Sequence, residues 1–94
     1  MVQVIVQHHV ADYDTWYPVF VEHGDVRRKH GATGHAIYRT LADPNDLVIV
    51  NEFATREGAE GFMSDPSLPE AMHRAGVNSE PKIWLASAAE SKTY

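Results

Sequence analysis

One strand-forming segment of the chain is apolar on both of its faces. Successive side chains of a strand point to opposite sides, so Leu47, Ile49 and Phe53 share one face. Val48 and Val50 share the other. An antiparallel sheet usually leaves one face to water, and this segment offers no polar face for it. We therefore expect helices of the same chain to cover one face and a second copy of the chain to cover the other.

The length and composition fit one small globular domain. Ninety-four residues, 44% of them hydrophobic, can form one core, although a domain of this size buries only about two-thirds of its unfolded surface. We expect a single domain over residues 1–87 and a flexible, polar tail over residues 88–94. The modest core is a further reason to expect a homodimer.

Charge and cysteine content disfavour several classes of function. The formal net charge of −5 argues against a phosphate-neutralising surface, so no nucleic acid is expected as a partner. The one basic run, residues 27–30, is interpreted as a helix end, where cations complement the helix dipole. The absence of cysteine removes disulfides, thiolate catalysis and zinc-thiolate sites, and it fits the cytoplasm. The apolar run at residues 1–6 is too short for a signal peptide or a membrane span, so no membrane partner is expected.

The first third of the chain predicts a strand followed by a helix. Alternating valines predict the strand over residues 2–10, and its apolar face also carries His8. The helix is predicted to run for about four turns, with Pro18 in its first turn and an amphipathic stripe that includes Trp16 and His23. The residues that could cap or end it are Asp12, Asp14, Gly31 and Gly34.

A hairpin is predicted to follow this helix. Its strands are expected over residues 35–42 and 47–54. The proline and the Asp and Asn residues of the segment 43–46 favour the tight turn between them.

The last third predicts two short helices and a final strand. Thr55 can cap the first helix, and Asp65 with the proline after it ends that helix. Ser67 and Glu70 have the spacing of a capping box for the second helix. The apolar residues within 82–86 predict the last strand. The order β-α-β-β-α-β is that of an α+β, ferredoxin-like split βαβ domain, with a four-stranded antiparallel sheet and helices on one face.

Seven segments of the chain together resemble a known family. They are His8-x-Val10-x-Asp12-Tyr13-Asp14-x-Trp16, Phe20-x-Glu22-His23, Gly31-x-x-Gly34-x-x-x-Tyr38-Arg39, Asp43-Pro44-Asn45-Asp46, Glu52-Phe53, Asp65-Pro66-x-Leu68 and Met72-x-x-Ala75-Gly76-Val77. The chain resembles, over residues 2–85, the small bacterial proteins often labelled "cyclase". These belong to the dimeric α+β barrel superfamily of antibiotic-biosynthesis-monooxygenase type, so the resemblance implies a dimeric α+β barrel.

The resemblance implies a range of activities rather than one. The superfamily includes cofactor-free quinol and polyketide monooxygenases, polyketide cyclases, isomerases and haem-degrading enzymes. In its better-known monooxygenases and haem degraders, the substrate pocket lies between the sheet and the helices and is lined by Asn, Trp, His, Tyr or Arg. The residues of these types here are Trp16, His23, Asn51, Tyr38 and Arg39.

Two histidines are the candidate catalytic residues. His8 shares a strand face with valines, and His23 shares a helix stripe with Trp16 and Phe20, so both could face the cleft between sheet and helices. Burial lowers the pKa of a histidine and keeps the ring neutral, which is the form that accepts a proton from a phenol or an enolisable carbon. The alternative is that each is a core histidine bonded to a backbone carbonyl.

The candidate substrate-binding residues are expected to line the same cleft. They are Trp16, Phe20, Tyr38, Arg39, Asn51, Phe62, Met72 and Trp84. Asn51 interrupts an apolar strand and could donate a hydrogen bond to a substrate oxygen. Glu52, on the opposite strand face, is predicted to pair with Arg39 or with the partner chain. For the two tryptophans, the alternative is a core position, which large apolar side chains take more often than a stacking role.

The histidine spacing does not predict a metal site, and no cofactor is expected. His23 and His30 lie about 10 Å apart along a helix, too far to share one ion. His8 and His9 point to opposite faces of a strand. Haem binding or degradation through His8, His23 or His35 is an alternative.

The leading hypothesis from the sequence is a homodimeric enzyme. It would bind a hydrophobic aromatic or polyketide-like molecule and promote its oxidation or cyclisation without a cofactor. A non-catalytic carrier or sensor that binds a small apolar ligand in the same cleft is the alternative from another class.

Overall fold

A computed structural model describes all 94 residues, which form four strands and four helices. In chain order these are β1 (Val2–His9), α1 (Tyr13–Glu22), α2 (Gly24–Lys29), β2 (Ala32–Arg39), β3 (Asp46–Phe53), α3 (Arg56–Met63), α4 (Ser67–Arg74) and β4 (Lys82–Ala86). Residues 87–94 contain no helix or strand and are exposed. No helix of the chain is long and apolar enough to cross a membrane.

The strands form one antiparallel sheet in the order β2-β3-β1-β4. Each of the two crossovers that this order requires carries a pair of helices, so the predicted ferredoxin-like α+β fold is confirmed. Alternate residues of β1, namely Val4, Val6 and His8, are buried on one face of the sheet. Leu47, Ile49, Asn51 and Phe53 of β3 are buried on that same face.

Two apolar clusters fill the space between this face and the helices. One contains Phe53 of β3 and Phe62 of α3, and the other contains Trp16 of α1 and Leu47 of β3. The helices are therefore held by the apolar stripe that the sequence predicted.

The first helical segment differs from the prediction, because it is two helices rather than one. The break is at His23, whose ψ of −3° departs from the helical value of about −42°. Gly24, which disfavours a helix interior, follows directly. Pro18 was predicted in the first turn of the helix, but it is the sixth residue of α1. The carbonyl that its missing N–H leaves free, that of Asp14, belongs to an exposed residue, so water can bond to it.

Two glycines were predicted to end the first helix, and one of these two predictions is confirmed. Gly31 has a φ of +88° just after α2, which is the left-handed conformation of a helix end. Gly34 does not end a helix: it lies in β2, beside the register irregularity that begins at Ala32. The strand β2 thus begins three residues before its predicted start and ends at Arg39.

The capping box predicted at Ser67 and Glu70 is absent. The N-terminus of α4 is instead held by Asp65. Its Oδ1 accepts hydrogen bonds from the backbone N–H of Ser67 at 2.9 Å and from Ser67 Oγ at 2.7 Å. The cap predicted at Thr55 is confirmed, since its Oγ1 accepts from the Gly58 N–H at 3.0 Å.

The other face of the sheet carries a continuous apolar row that no helix covers. Cross-strand pairing aligns Trp84, Ile5, Val50 and Ala36 across all four strands. Half of the Trp84 residue surface is exposed.

The predicted pair of Glu52 with Arg39 is not formed within the chain. Glu52 lies on the uncovered face, where its Oε1 accepts from Thr33 Oγ1 at 3.1 Å. Arg39 lies opposite Leu47, on the helix-side face, and its Nε donates to the Pro44 carbonyl at 2.8 Å. The two side chains therefore point to opposite sides of the sheet.

Candidate functional site

A cavity lies between the sheet and the helices, and its lining is mostly apolar. Thirteen of its 17 lining residues are hydrophobic. Its empty volume is about 550 Å³, which includes space continuous with solvent. An apolar lining with a few polar groups is the character of a small-molecule site.

The floor of the cavity is formed by β1 and β3, and it is polar at each end. His8 pairs across the sheet with Leu47, and Asn51 pairs with Val4. Four residues of strand separate the two positions, or roughly 13 Å along the sheet. The floor between them is apolar, so a ligand lying along it would meet one polar group at each end.

His8 is the most unusual residue of the floor. It is only 3% exposed, and neither Nδ1 nor Nε2 has a hydrogen-bond partner in the protein. Burial lowers the pKa of His8 to about 4, against a smaller opposing effect of the Asp46 carboxylate. The ring is therefore neutral near pH 7. Because a buried polar group without a partner costs roughly 1–3 kcal/mol, an incoming ligand is the natural partner for this ring.

Asn51 repeats this situation at the other end. It is 3% exposed, and its Oδ1 has no partner. A carboxamide presents one acceptor and two donors. Asn51 can therefore hold either a hydroxyl or a carbonyl oxygen of a ligand.

His23 enters the cavity from the break between α1 and α2, and a hydrogen-bonded chain holds it. Its Nε2 lies 2.8 Å from Ser67 Oγ, which itself donates to Asp65 at 2.7 Å. The other carboxylate oxygen of Asp65 lies 2.9 Å from His30 Nε2. Because the Ser67 proton goes to Asp65, His23 Nε2 must be the donor to Ser67, which leaves Nδ1 as its acceptor.

The charges and burial around His23 favour its neutral form. Burial is the main cause that lowers the pKa of His23, and the Arg27 cation adds to it, whereas Asp65 opposes it. Hydrogen bonds from His30 and Ser67 hold the pKa of Asp65 far below its usual value, so this carboxylate is ionised and accepts only. His23 is thus anchored, whereas His8 is free to bond a ligand.

Four of the apolar or aromatic candidates line the cavity. They are Trp16, Phe20, Phe62 and Met72. Trp16 stacks on Phe20 with ring centroids 4.9 Å apart, and Phe62 packs on Phe53 at 5.3 Å. The walls are therefore built from rings that already support one another.

Three of the predicted substrate-binding residues lie away from the cavity. Trp84 and Tyr38 are on the uncovered face of the sheet, since they pair with Ile5 and Val48. Arg39 is on the helix side but at the outer edge, with its guanidinium carbon 4.0 Å from the Tyr13 ring centroid. The chain alone does not bring these three residues to the cavity.

Arg27 lines the cavity although the sequence analysis, which placed it at a helix end and on the buried stripe, did not include it among the candidate site residues. It is 6% exposed, and its guanidinium carbon lies 3.6 Å from the Phe20 ring centroid. The available signal was its spacing, because it falls four residues after His23 on the buried stripe.

The three histidines considered for a metal or haem do not all line the cavity. No group of three or more His, Asp or Glu side chains is close enough to hold a metal ion. His8 and His23 line the cavity, whereas His35 is an exposed residue of β2.

Solved structures share this fold at low sequence identity. SnoaB, a cofactor-independent oxygenase from Streptomyces nogalater, is 14% identical, with a TM-score of 0.77 over 96% of this chain and 94% of that one. An antibiotic biosynthesis monooxygenase is 17% identical, with a TM-score of 0.71 over 96% of this chain and 100% of that one. Rv0793 from Mycobacterium tuberculosis is 10% identical, with a TM-score of 0.63 over 98% of each chain.

Neither the scan against protein-family models nor the comparison with curated proteins gives a match. Identities of this size establish the fold and leave the activity open. The chain has the ferredoxin-like α+β fold of antibiotic-biosynthesis-monooxygenase structures, in agreement with the resemblance found in the sequence.

Proposed function

We propose that the chain is a homodimeric enzyme that removes a proton from a hydrophobic aromatic or polyketide-like molecule bound between the sheet and the helices. The deprotonated substrate then reacts with dioxygen or closes a ring, without a bound cofactor. The cytoplasm is the proposed location, because the chain has no cysteine.

The observation that carries this proposal is the pair of unpartnered nitrogens on His8. A ring used only for packing would gain stability by bonding a carbonyl or by being replaced with an apolar side chain. His8 instead keeps both nitrogens free beside a mostly apolar cavity. It is therefore the proposed general base, with Asn51 holding an oxygen at the far end.

The depressed pKa of His8 sets a condition on the chemistry. Lowering that pKa from 6.5 to about 4 makes the imidazolium about 3 kcal/mol less stable than in water. A substrate anion about 4 Å away would return about 4 kcal/mol at an effective dielectric constant of about 20. The cost of protonating buried His8 and the attraction to a nearby anion are similar. His8 can therefore take a proton when an enolate or phenolate forms beside it, and it stays neutral otherwise.

Two outcomes follow from the same anion. In oxidation, the carbanion form of an enolate gives electrons to dioxygen: one oxygen atom becomes a carbonyl of the product, and the other leaves as water with the two hydrogens of that carbon. In ring closure, the enolate carbon attacks another carbonyl of the same polyketide molecule, and water leaves afterwards. The cofactor-independent oxygenase among the structures of this fold supports oxidation as the first reaction to test.

The homodimer is supported by the uncovered row Trp84, Ile5, Val50 and Ala36. A chain of 94 residues gains stability by removing such a row from water. A second copy of the same face is the simplest cover, because a twofold interface pairs one patch with itself.

Oxygen uptake with anthrone tests the proposal, because anthrone is an apolar fused ring system with an enolisable carbon. The wild-type protein should accelerate uptake above the buffer rate. His8→Leu should lose roughly a hundredfold, the usual contribution of a general base. His73→Leu is the matched control, since His73 is an exposed histidine, and it should keep full activity.

Two results would argue against an enzyme. Saturable binding of anthrone with no acceleration of oxygen uptake, and no closure of a linear β-polyketone, would indicate a carrier or sensor. Equal rates for the wild type and His8→Leu would remove His8 from the mechanism.

A further inference from the structure

Arg27 is a buried cation without a counterion. None of its nitrogens lies within 4.0 Å of a carboxylate oxygen, and its one hydrogen bond to the protein runs from Nη2 to the Phe20 carbonyl at 2.7 Å. The guanidinium has five N–H donors, so most of its hydrogen-bonding capacity is unused by the protein.

The charged neighbours of Arg27 do not compensate for it. Arg28 repels it, while His23 and His35 are close enough for Arg27 to lower the pKa of both rings. The nearest acid in sequence, Asp25, is bonded to Arg28 on the exposed side of α2. Arg27 nevertheless stays protonated, because burial lowers its pKa only to about 10.

An unpaired buried charge is expensive, and the stack on Phe20 offsets only part of that cost. A cation over an aromatic face gains less than an uncompensated buried ion costs. The remaining cost is removed if an anion enters the cavity beside the guanidinium.

The position of Arg27 defines which part of a ligand would carry that anion. Phe20, on which Arg27 stacks, lies against His35 with ring centroids 4.9 Å apart, and His35 pairs across the sheet with Asn51. Phe20 also stacks on Trp16 near His8, but the Arg27 charge lowers the pKa of His35 and has no such effect on His8. Arg27 therefore lies nearer the Asn51 end of the floor than the His8 end. The His8 end is left for the atom that loses a proton.

We propose that the ligand is an aromatic or polyketide-like carboxylic acid, bound with its carboxylate on Arg27 and its reacting carbon or hydroxyl toward His8. A planar guanidinium matches a carboxylate with two parallel hydrogen bonds. Arg27 is the one cation of the lining and balances a single negative charge, which favours a carboxylate over a phosphate dianion. This inference rests on the proposed function, since it names the substrate class of the same cavity.

Fluorescence titration with naphthoate and with its neutral analogue naphthamide tests this inference. The wild-type protein should bind naphthoate at least tenfold more tightly than naphthamide. Arg27→Met should abolish that preference by weakening naphthoate binding far more than naphthamide binding, and Arg27→Lys should keep a reduced preference for the anion. Arg28→Met, a change of the exposed neighbouring arginine, should leave both affinities unchanged.

The outcomes separate this inference from the proposed function. Equal wild-type affinities for the two probes, or a preference that survives in both Arg27 variants, would overturn the anion site and leave an apolar binding cavity in place. Binding of neither probe would overturn the cavity as a ligand site, and the anion site with it. The Arg27→Lys variant keeps the test decisive if Arg27→Met does not fold.

Discussion

The ring of His8 meets the ring of Trp16 edge-on, with centroids 6.0 Å apart and planes inclined by 75°. His8 comes from the sheet and Trp16 from α1, so the contact joins the floor of the cavity to its helical wall. An aromatic neighbour fixes the orientation of the imidazole without engaging either nitrogen strongly. The proposed base is thus held in place and left unbonded.

Replacing this histidine should raise stability while removing function. In His8→Leu, the two unpartnered buried nitrogens disappear, so the free energy of unfolding should increase by roughly 1 kcal/mol. Urea unfolding measures this change. A loss of more than about 1 kcal/mol would show that His8 has a structural bond that the account does not include.

The stability of the wild-type protein should fall as the pH falls from 6.5 toward 4. An unfolded histidine binds a proton in this range, whereas folded His8, with its pKa of about 4, does not, so the free energy of unfolding rises with pH. His23 and His35, whose pKa values are also lowered, act in the same direction. The raised pKa of His9 acts in the opposite direction.

Comparison of the wild type with His8→Leu isolates the share of His8 in this pH dependence. Between pH 7.5 and pH 5, the wild type should lose about 2 kcal/mol more than the variant does. Urea unfolding at the two pH values provides the difference. Parallel pH profiles for the two proteins would mean that the pKa of His8 is close to its unfolded value.

The hydrogen-bonded chain from His23 to Asp65 predicts one tautomer. Neutral His23 should carry its proton on Nε2, because Ser67 donates to the ionised Asp65 and can only accept from His23. Nitrogen-15 chemical shifts of the imidazole distinguish the two tautomers. A proton on Nδ1 would contradict the hydrogen-bond direction from His23 to Ser67, and Ser67→Ala should weaken the preference for Nε2.

Charging the uncovered face should disrupt the dimer. Light scattering of the wild type at micromolar concentration should give about twice the chain mass of 10.5 kDa. Val50→Asp places an unpaired carboxylate in the centre of the apolar row, so the dimer should dissociate or the chain should unfold. Val21→Asp, a change of an exposed valine on α1, is the matched control and should remain dimeric. A folded monomeric wild type would refute the dimer.

The fold could be predicted because its signals are local. The two-sided apolar pattern of β3, the turn before it and the glycine at position 31 each specify a short stretch of backbone, and the order of elements specifies the topology. Strand alternation also placed His8 and Asn51 correctly on the buried face.

The site could be predicted only in part, because it depends on what lies opposite each residue. Nothing in the sequence states that His8 lacks a partner or that Arg27 lacks a counterion, since both follow from tertiary contacts. Trp84 was assigned to the cleft, yet the pairing of β4 with β1 places Ile83 there and Trp84 on the other face. A strand register that differs by one residue exchanges the two faces, and periodicity alone does not determine register.

A crystal structure of the protein with bound naphthol tests the central claim most directly. The account predicts naphthol between the sheet and the helices, with its rings against Trp16 and Phe20 and its hydroxyl oxygen within about 3.2 Å of a ring nitrogen of His8. Naphthol bound only outside this cavity, or in the cavity with its hydroxyl away from His8, would contradict the account.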